Sequence, residues 1–204
     1  MKTAKEVRRI YNHFSSYDSN MQIVGWQGPR LLVAHIKRYL QQNFLILDVG
    51  CGTGLVGKEL RECGWRGSLI GIDIAERRLS DTVKKSVYDL CVAGNAYALP
   101  FPNCSFDMVV SCAMVGLTGP KSVKEMFRVL KPGGYLACVA GYFKHFGKQR
   151  ASWCRRRFRK SIACLQELPN SSMALNKNLG FGYTGNTAFD WKDEHYYFFL
   201  IRRQ

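Results

Sequence analysis

Short apolar runs alternate along the chain with segments of helical spacing. Five runs are apolar at most positions: about Phe44 to Val49, Ser68 to Asp73, Tyr88 to Val92, Phe106 to Cys112 and about Tyr135 to Val139. Strands buried on both faces of a parallel sheet need such density. Val7, Ile10, Tyr11 and Phe14 share one helical face and predict a helix over Ala4 to Phe14. Further helices are predicted from Gly28-Pro29 to about Gln41, from Leu55 to near Gly64, and over Glu76 to Lys85. Two more follow, over Gly119 to Leu130 and Ala151 to Leu168. Pro169-Asn170-Ser171-Ser172 marks a break. Leu179 to Thr184 and His195 to Arg202 read as final strands, and Thr187 to Glu194 carries no pattern that assigns it. Alternating strands and helices predict an α/β, Rossmann-like doubly wound, mostly parallel sheet of seven strands with helices on both faces. There is no internal repeat, low-complexity tract or linker. The expected organisation is a single domain with an N-terminal helical lid (1–42), a core (43–140) and a basic helix with final strands (141–204).

The first strand ends in Leu45-Ile46-Leu47-Asp48-Val49-Gly50-Cys51-Gly52-Thr53-Gly54, and a helix follows at once. Alternate glycines let a backbone take left-handed angles and lie against a ligand. Strand, glycine loop and helix hold nucleotide-type cofactors at the carboxyl edge of an open sheet. Two templates fit. Gly52, Gly54 and Gly57 match G-x-G-x-x-G, the dinucleotide fingerprint. Asp48 with Gly50, Gly52 and Gly54 matches D-x-G-x-G-x-G, which resembles motif I of class I S-adenosylmethionine (SAM) dependent methyltransferases. A pyrophosphate is anionic and prefers a helix N-terminus without a carboxylate beside it. SAM has no phosphate, and its ammonium suits a carboxylate at Asp48.

Other segments extend the resemblance in the family's order. Asp73 ends the second strand, where an acid accepts ribose hydroxyls. This feature is shared with NAD enzymes. The adjacent Ile74 is placed to cover an adenine face. Gly94-Asn95-Ala96-Tyr97-Ala98-Leu99-Pro100-Phe101 resembles the family's G-D-A-x-x-L-P-F, with Asn95 in the usual Asp place. Ser105-Phe106-Asp107-Met108-Val109 resembles S-F-D-x-V, and Leu130-Lys131-Pro132-Gly133-Gly134-Tyr135-Leu136 resembles L-K-P-G-G-x-L. Tyr17-Asp18, Met21 and Gly25-Trp26-Gln27-Gly28-Pro29 are similar to a smaller group, the methyltransferase-like proteins named for the Williams–Beuren region. The resemblance implies an antiparallel C-terminal edge pair and SAM as cofactor. It implies a cofactor set of Asp48, Gly50, Cys51, Gly52, Gly54, Leu55, Asp73, Ile74, Asn95, Ala96 and Ser111. The side chain at 95 would meet the adenine amino group, and Asn can accept that bond through its amide oxygen.

Composition changes the picture in three places. The 204 residues are 47% hydrophobic, as expected of one globular domain able to bury a core. No apolar run approaches the ~20 residues of a membrane helix, and the charged N-terminus MKTAKEVRRI has no secretory core. Eight cysteines without C-x-x-C spacing read as buried small residues of a reducing compartment, not as disulfides or a zinc site. An intracellular protein, cytoplasmic or nuclear, is the expectation. The net charge of +15 is high for an enzyme of neutral metabolites. Between Lys144 and Lys160 lie Lys148, Arg150, Arg155, Arg156, Arg157 and Arg159 with no acid, interleaved with His145, Phe146, Trp153 and Phe158. Either a solvated basic helix or a surface for an anionic substrate or nucleic acid produces that pattern.

Methyl transfer from a sulfonium is an in-line displacement with an activated leaving group. Holding the acceptor against the methyl and excluding water is the main requirement. No fixed triad is expected. Ser111 and Met114 at the fourth strand's end, with Tyr11, His13 and Tyr17 of the lid, are the residues placed near the acceptor. Three readings stay open: a SAM-dependent methyltransferase, a noncatalytic protein of that fold binding nucleic acid or a partner through 144–160, and an NAD(P)-dependent oxidoreductase. The last lacks a Tyr-x-x-x-Lys and leaves the L-P-F and K-P-G-G segments unexplained.

Overall fold

The protein was analysed as a computed structural model describing residues 4–12, 17–23, 25–141, 148–180 and 196–204. Side chains of 4, 6, 7, 10, 17, 148–155 and 174–180 lie outside that description. A seven-stranded sheet runs in the order β3-β2-β1-β4-β5-β7-β6. The strands are β1 Leu45–Val49, β2 Ser68–Asp73, β3 Leu90–Ala93, β4 Phe106–Cys112, β5 Leu130–Gly141, β6 Ser171–Gly180 and β7 Tyr196–Arg203. β1 to β5 pair in parallel, and β7 runs antiparallel to both β5 and β6. The sheet order reverses at β1, which pairs with β2 on one side and β4 on the other. In an open α/β sheet the crevice outside such a switch point is the ligand-binding place.

Helices α1 Ala4–Asn12, α2 Tyr17–Ile23 and α3 Gly28–Ile36 precede the sheet. α4 Leu55–Glu62 and α5 Glu76–Lys84 follow β1 and β2. α6 Val115–Thr118, α7 Pro120–Val129 and α8 Lys148–Gln166 complete the set. Strand side chains alternate between faces. Ile46, Met108 and Val110 therefore pack with Leu32, Ile36, Val56 and Leu60 of α3 and α4. Leu47, Val49 and Val109 pack on the other side with Val123, Met126, Phe158 and Leu165 of α7 and α8. Asp48 shares the parity of Ile46, so its carboxylate enters the layer between β1 and α4.

Several expected boundaries move. The third strand begins at Leu90, not Tyr88, because both preceding side chains are engaged elsewhere. Asp89 Oδ2 accepts the Leu69 amide at 2.7 Å, and the Tyr88 ring turns under α4. The helix opened by Pro29 ends at Ile36, and a 3-10 turn, Lys37–Tyr39, follows it. β5 starts earlier than expected, through Lys131-Pro132-Gly133-Gly134, with an irregular register against β4. The first strand of the edge pair is Ser171–Gly180, not Leu179 to Thr184, and 181–184 lie outside the described residues. The break expected at Pro169 to Ser172 is a turn with Asn170 at φ +49, which leads directly into pairing of Ser171 with Arg203. The short helices α2 and α6 carry too few residues for a periodic signal.

α8 divides its basic run between solvent and the core. Arg156, Arg159 and Lys160 are exposed, whereas Phe158 is buried in the core. Arg157 Nη1 donates to the Tyr97 hydroxyl at 3.1 Å and to the carbonyls of Leu117 and Thr118 at 2.9 and 3.0 Å. It ties α8 to α6 and to the loop after β3. Lys144, His145 and Phe146 lie outside the described residues. The side chains of Lys148, Arg150, Trp153 and Arg155 do so as well. No helix among the described residues is long and apolar enough to cross a membrane.

Candidate functional site

The glycine loop leaves β1 in a tight reversal. Gly50, Gly52 and Gly54 hold φ of +79, +56 and +86, where a Cβ is strained. The Gly50 and Cys51 amides both donate to the Ile72 carbonyl, at 2.8 and 3.1 Å. The Gly52 amide donates to Asp73 Oδ2 at 2.9 Å, and the Gly54 amide to the Cys51 carbonyl at 2.8 Å. Thr82 Oγ1 of α5 donates to the Gly52 carbonyl at 2.6 Å. All four of these loop amides are thus consumed inside the protein.

Asp73 does more than end β2. Its Oδ1 accepts the Ala75 amide at 2.8 Å while Oδ2 holds Gly52, so the carboxylate buttresses the loop. Burial raises its pKa above the ordinary carboxylate value, and the two amides work against that shift. Each oxygen keeps a lone pair for a further donor.

Asp48 is fully buried. The Tyr88 hydroxyl donates to its Oδ2 at 2.5 Å and itself accepts the Gly57 amide at 3.0 Å. Oδ1 has no hydrogen-bond partner among the described residues. Burial is the main cause of an Asp48 pKa raised to about 7, with the Tyr88 bond opposing it and Asp73 adding to it. Tyr88 also explains the third glycine. A Cβ at Gly57 would sit 2.4 Å from the Tyr88 ring, and one at Gly71 would sit 2.9 Å from it. Gly57 therefore makes room for a tyrosine, a role the dinucleotide reading does not contain.

The neighbouring loop carries Asn95 and Ala96. Asn95 Oδ1 accepts the Tyr97 amide at 2.9 Å, so the oxygen expected to meet an adenine already has one donor. Ile74, Ala93, Gly94 and Asn95 line a cavity of about 340 Å³, whose far wall is Lys5 and Arg8 of α1. Ala96 packs against the core, and Leu55 opens α4 half-buried. The Cys51 thiol is buried and its pKa is raised well above the ordinary thiol value by burial, as expected of a small loop residue. Ser111 is fully buried and its hydroxyl donates to the Val49 carbonyl at 3.0 Å, which places it inside the sheet. Met114 lies over the loop, where a Cβ on Gly50 would meet its side chain at 3.0 Å.

The N-terminal helices close over this end. Arg8 pairs with Glu76, and Arg78 Nε donates to the Tyr11 carbonyl at 3.2 Å with its guanidinium 4.8 Å from the Tyr11 ring centre. In α2, Asp18 accepts from Thr53 Oγ1 of the loop and from Lys85, which also donates to the Thr53 carbonyl at 2.6 Å. Tyr11 is thus brought to the lid, at Arg78. His13 and the side chain of Tyr17 lie outside the described residues. Asp18, Lys85, Thr82, Arg78 and Tyr88 were not singled out as site residues from sequence. They come from distant segments, and only Asp18 falls in a segment that resembles a motif. A larger groove of about 720 Å³ runs between α7 and α8, past Lys124, Phe127, Lys160 and Leu168, and shares no lining residue with the strand-end site.

The arrangement fits a ligand with a cation at one end and a nucleoside at the other. A buried carboxylate faces inward with one oxygen unpartnered, and a second carboxylate at the end of β2 has lone pairs to spare. Four loop amides are bonded within the protein, and a buried carboxylate, which repels a pyrophosphate, lies beside the start of α4.

Comparison with known proteins agrees. Residues 47–138 match the family described as "Methyltransferase domain". The demethylmenaquinone methyltransferase of Lactococcus lactis is 36% identical over 150 residues, 66% of this chain and 58% of that protein. This chain spans between 45% and 60% of the length of the curated relatives compared. Among solved structures, the [4+2]-cyclase SpnF superposes with a TM-score of 0.71 at 16% identity, covering 98% of this chain and 96% of SpnF. Geranyl diphosphate C-methyltransferase from Streptomyces coelicolor, solved with S-adenosyl-L-homocysteine, superposes with a TM-score of 0.69 at 12% identity, covering 98% of each chain. At those identities the structures establish the fold, and SpnF shows that this fold also hosts a cyclase.

Proposed function

We propose that this chain is a SAM-dependent methyltransferase of class I, akin to the Williams–Beuren-region methyltransferase-like proteins, acting on an acceptor still to be identified. The observation that carries the reading is the loop's chemistry: the amides of Gly50, Cys51, Gly52 and Gly54 are bonded inward, and beside the loop lies a buried carboxylate with one oxygen unpartnered among the described residues. Asp48 takes the ammonium of the methionine end, and Asp73 takes the ribose hydroxyls. Ile74, Asn95 and Ala96 take the adenine. Bound SAM supplies a methyl on a sulfonium, which leaves as a neutral thioether. The protein's own contribution is orientation and dryness. The loop, tied to Ile72, Asp73 and Thr82, fixes one end of the ligand, and α1 and α2 cover it. Met114 forms the wall facing the acceptor. The sequence match to demethylmenaquinone methyltransferases supports methyl transfer as the reaction class and leaves the acceptor open.

A thermal-shift titration tests the cofactor. SAM and S-adenosylhomocysteine (SAH) raise the melting temperature, because a ligand that binds only the folded chain stabilises it, whereas NAD does not. Micromolar NAD binding without any SAM effect overturns the reading. Incubation with labelled SAM and fractionated small molecules, RNA and protein then finds the acceptor. SAM binding with no transfer to any fraction favours the noncatalytic alternative.

The exposed cations of α8 extend the proposal to an anionic acceptor. If that acceptor is a nucleic acid, its log affinity falls with log salt by about 0.9 for each phosphate neutralised. Replacing Arg156, Arg159 and Lys160 by Gln then flattens the slope by roughly 2–3 and leaves SAM affinity nearly unchanged. Arg157 stays intact in this test because it holds α6. An unaltered slope and full activity make α8 a solvated face.

A further inference from the structure

Tyr88 stands two residues before β3, outside every motif, yet three elements are shaped around it. Gly57 of α4 and Gly71 of β2 lack the Cβ that would collide with its ring, and a Cβ on Gly54 of the loop would stand 3.2 Å from it. Its hydroxyl joins the first turn of α4 to Asp48 by accepting from Gly57 and donating to the carboxylate. The groups that face Asp48 offer no other help. From β2 comes Asp73, which repels it. The thiols Cys51 of the loop, Cys91 of β3 and Cys112 of β4 each have a raised pKa and stay neutral at pH 7. Among the described residues no lysine, arginine or histidine forms an ion pair with Asp48.

We propose that Tyr88 is a positioning residue for the cofactor, which holds the Asp48 carboxylate ionised and turned so that Oδ1 meets the cationic end of the ligand. The inference rests on the SAM reading above and adds a residue to it. A hydroxyl that donates to a carboxylate stabilises its charged form, and a buried acid that loses such a donor retains its proton to higher pH. Binding a cation beside Asp48 requires the ionised form. The ligand's affinity therefore rises with pH through the titration of Asp48, and Tyr88 decides where that rise lies.

Tyr88→Phe keeps the ring between Gly57 and Gly71 and removes the donor. The Asp48 side-chain carboxyl resonance is followed by ¹³C NMR against pH in the ligand-free parent and variant, with Asp48→Asn as the assignment control. SAH affinity is measured by calorimetry at pH 6, 7, 8 and 9. The expected result is an Asp48 midpoint about one pH unit higher in Tyr88→Phe, the worth of one such hydrogen bond. SAH binding is then about tenfold weaker at pH 6 and about fivefold weaker at pH 7, and it converges with the parent at pH 9. An unmoved midpoint overturns the inference. A loss of affinity that is the same at every pH also overturns it, because a merely structural role produces that. A midpoint that moves while the parent binds no SAH at any pH overturns the SAM reading and leaves the hold of Tyr88 on Asp48 standing. Should Tyr88→Phe fail to fold, the parent's own profile decides. SAH affinity that does not change between pH 6 and 8 overturns the inference.

Discussion

Asp48→Asn is expected to stabilise the ligand-free protein above pH 7 while weakening SAM binding by roughly 10- to 150-fold, the worth of a hydrogen bond to a charged group. The two effects share one cause. Asp48 has a pKa of about 7 in the folded protein, against about 3.9 in an unfolded chain. Between those values the folded state binds more protons than the unfolded state, so stability falls as pH rises. The penalty is absent below pH 4 and complete above pH 7, where the folded state must carry a buried charge. Asn keeps the shape and an acceptor for Tyr88 and never ionises. Its melting temperature should exceed the parent's at pH 8 by several degrees, at about 2–4 °C per kcal/mol for a chain of this size. The advantage should vanish near pH 4. Calorimetric unfolding at the two pH values checks the stability half, and SAH titration checks the other. A variant less stable than the parent at pH 8 shows that the carboxylate is held by a cation and does not await one. Destabilisation stored at a binding site is a common cost of function.

Asp73→Ala should abolish SAM binding more completely than loss of the ribose contact alone predicts. Removing the carboxylate costs about 1.5–3 kcal/mol of binding through its charged hydrogen bonds. It also strips the acceptor from the Gly52 and Ala75 amides, so the loop that shapes the site loses its tie to β2. Melting temperature should fall together with affinity, and Asp73→Asn, which retains one acceptor oxygen, should lie between parent and Ala in both. Affinity for SAH that is unchanged in a folded Asp73→Ala protein places the ribose elsewhere. Asn95→Ala serves as the reference for a neutral contact, and its smaller loss should leave the loop in place.

The strand-end acids, the glycine loop and the parallel strands themselves were readable from the sequence because their signals are local. An apolar run of five or six residues that ends in an acid and a left-handed glycine turn has few other structures to adopt. β2 and β4 have the expected limits for that reason, and the final edge pair has the expected direction. Asp48, Asp73 and Asn95 were singled out by their places in segments that resemble family motifs, and each does lie at the carboxyl edge of the sheet. What those residues do there was not readable. Asn95 spends an amide oxygen on Tyr97, Ser111 turns its hydroxyl to Val49, and Arg157 ties α8 to α6. Each such bond depends on which side chain of a distant segment arrives within about 3 Å, and no spacing along the chain encodes that distance.

Sequence by itself therefore determined the α/β class, the parallel strands and the glycine loop at their carboxyl edge, because periodicity and glycine placement act over a few residues. Tertiary structure decided the chemistry of that edge. Tyr88 reached Asp48 from 40 positions away and Lys85 reached Asp18 from 67. Burial then lifted the Asp48 pKa to about 7, toward neutrality. A charge's environment is set by everything packed around it, and packing is settled only when the whole chain has folded.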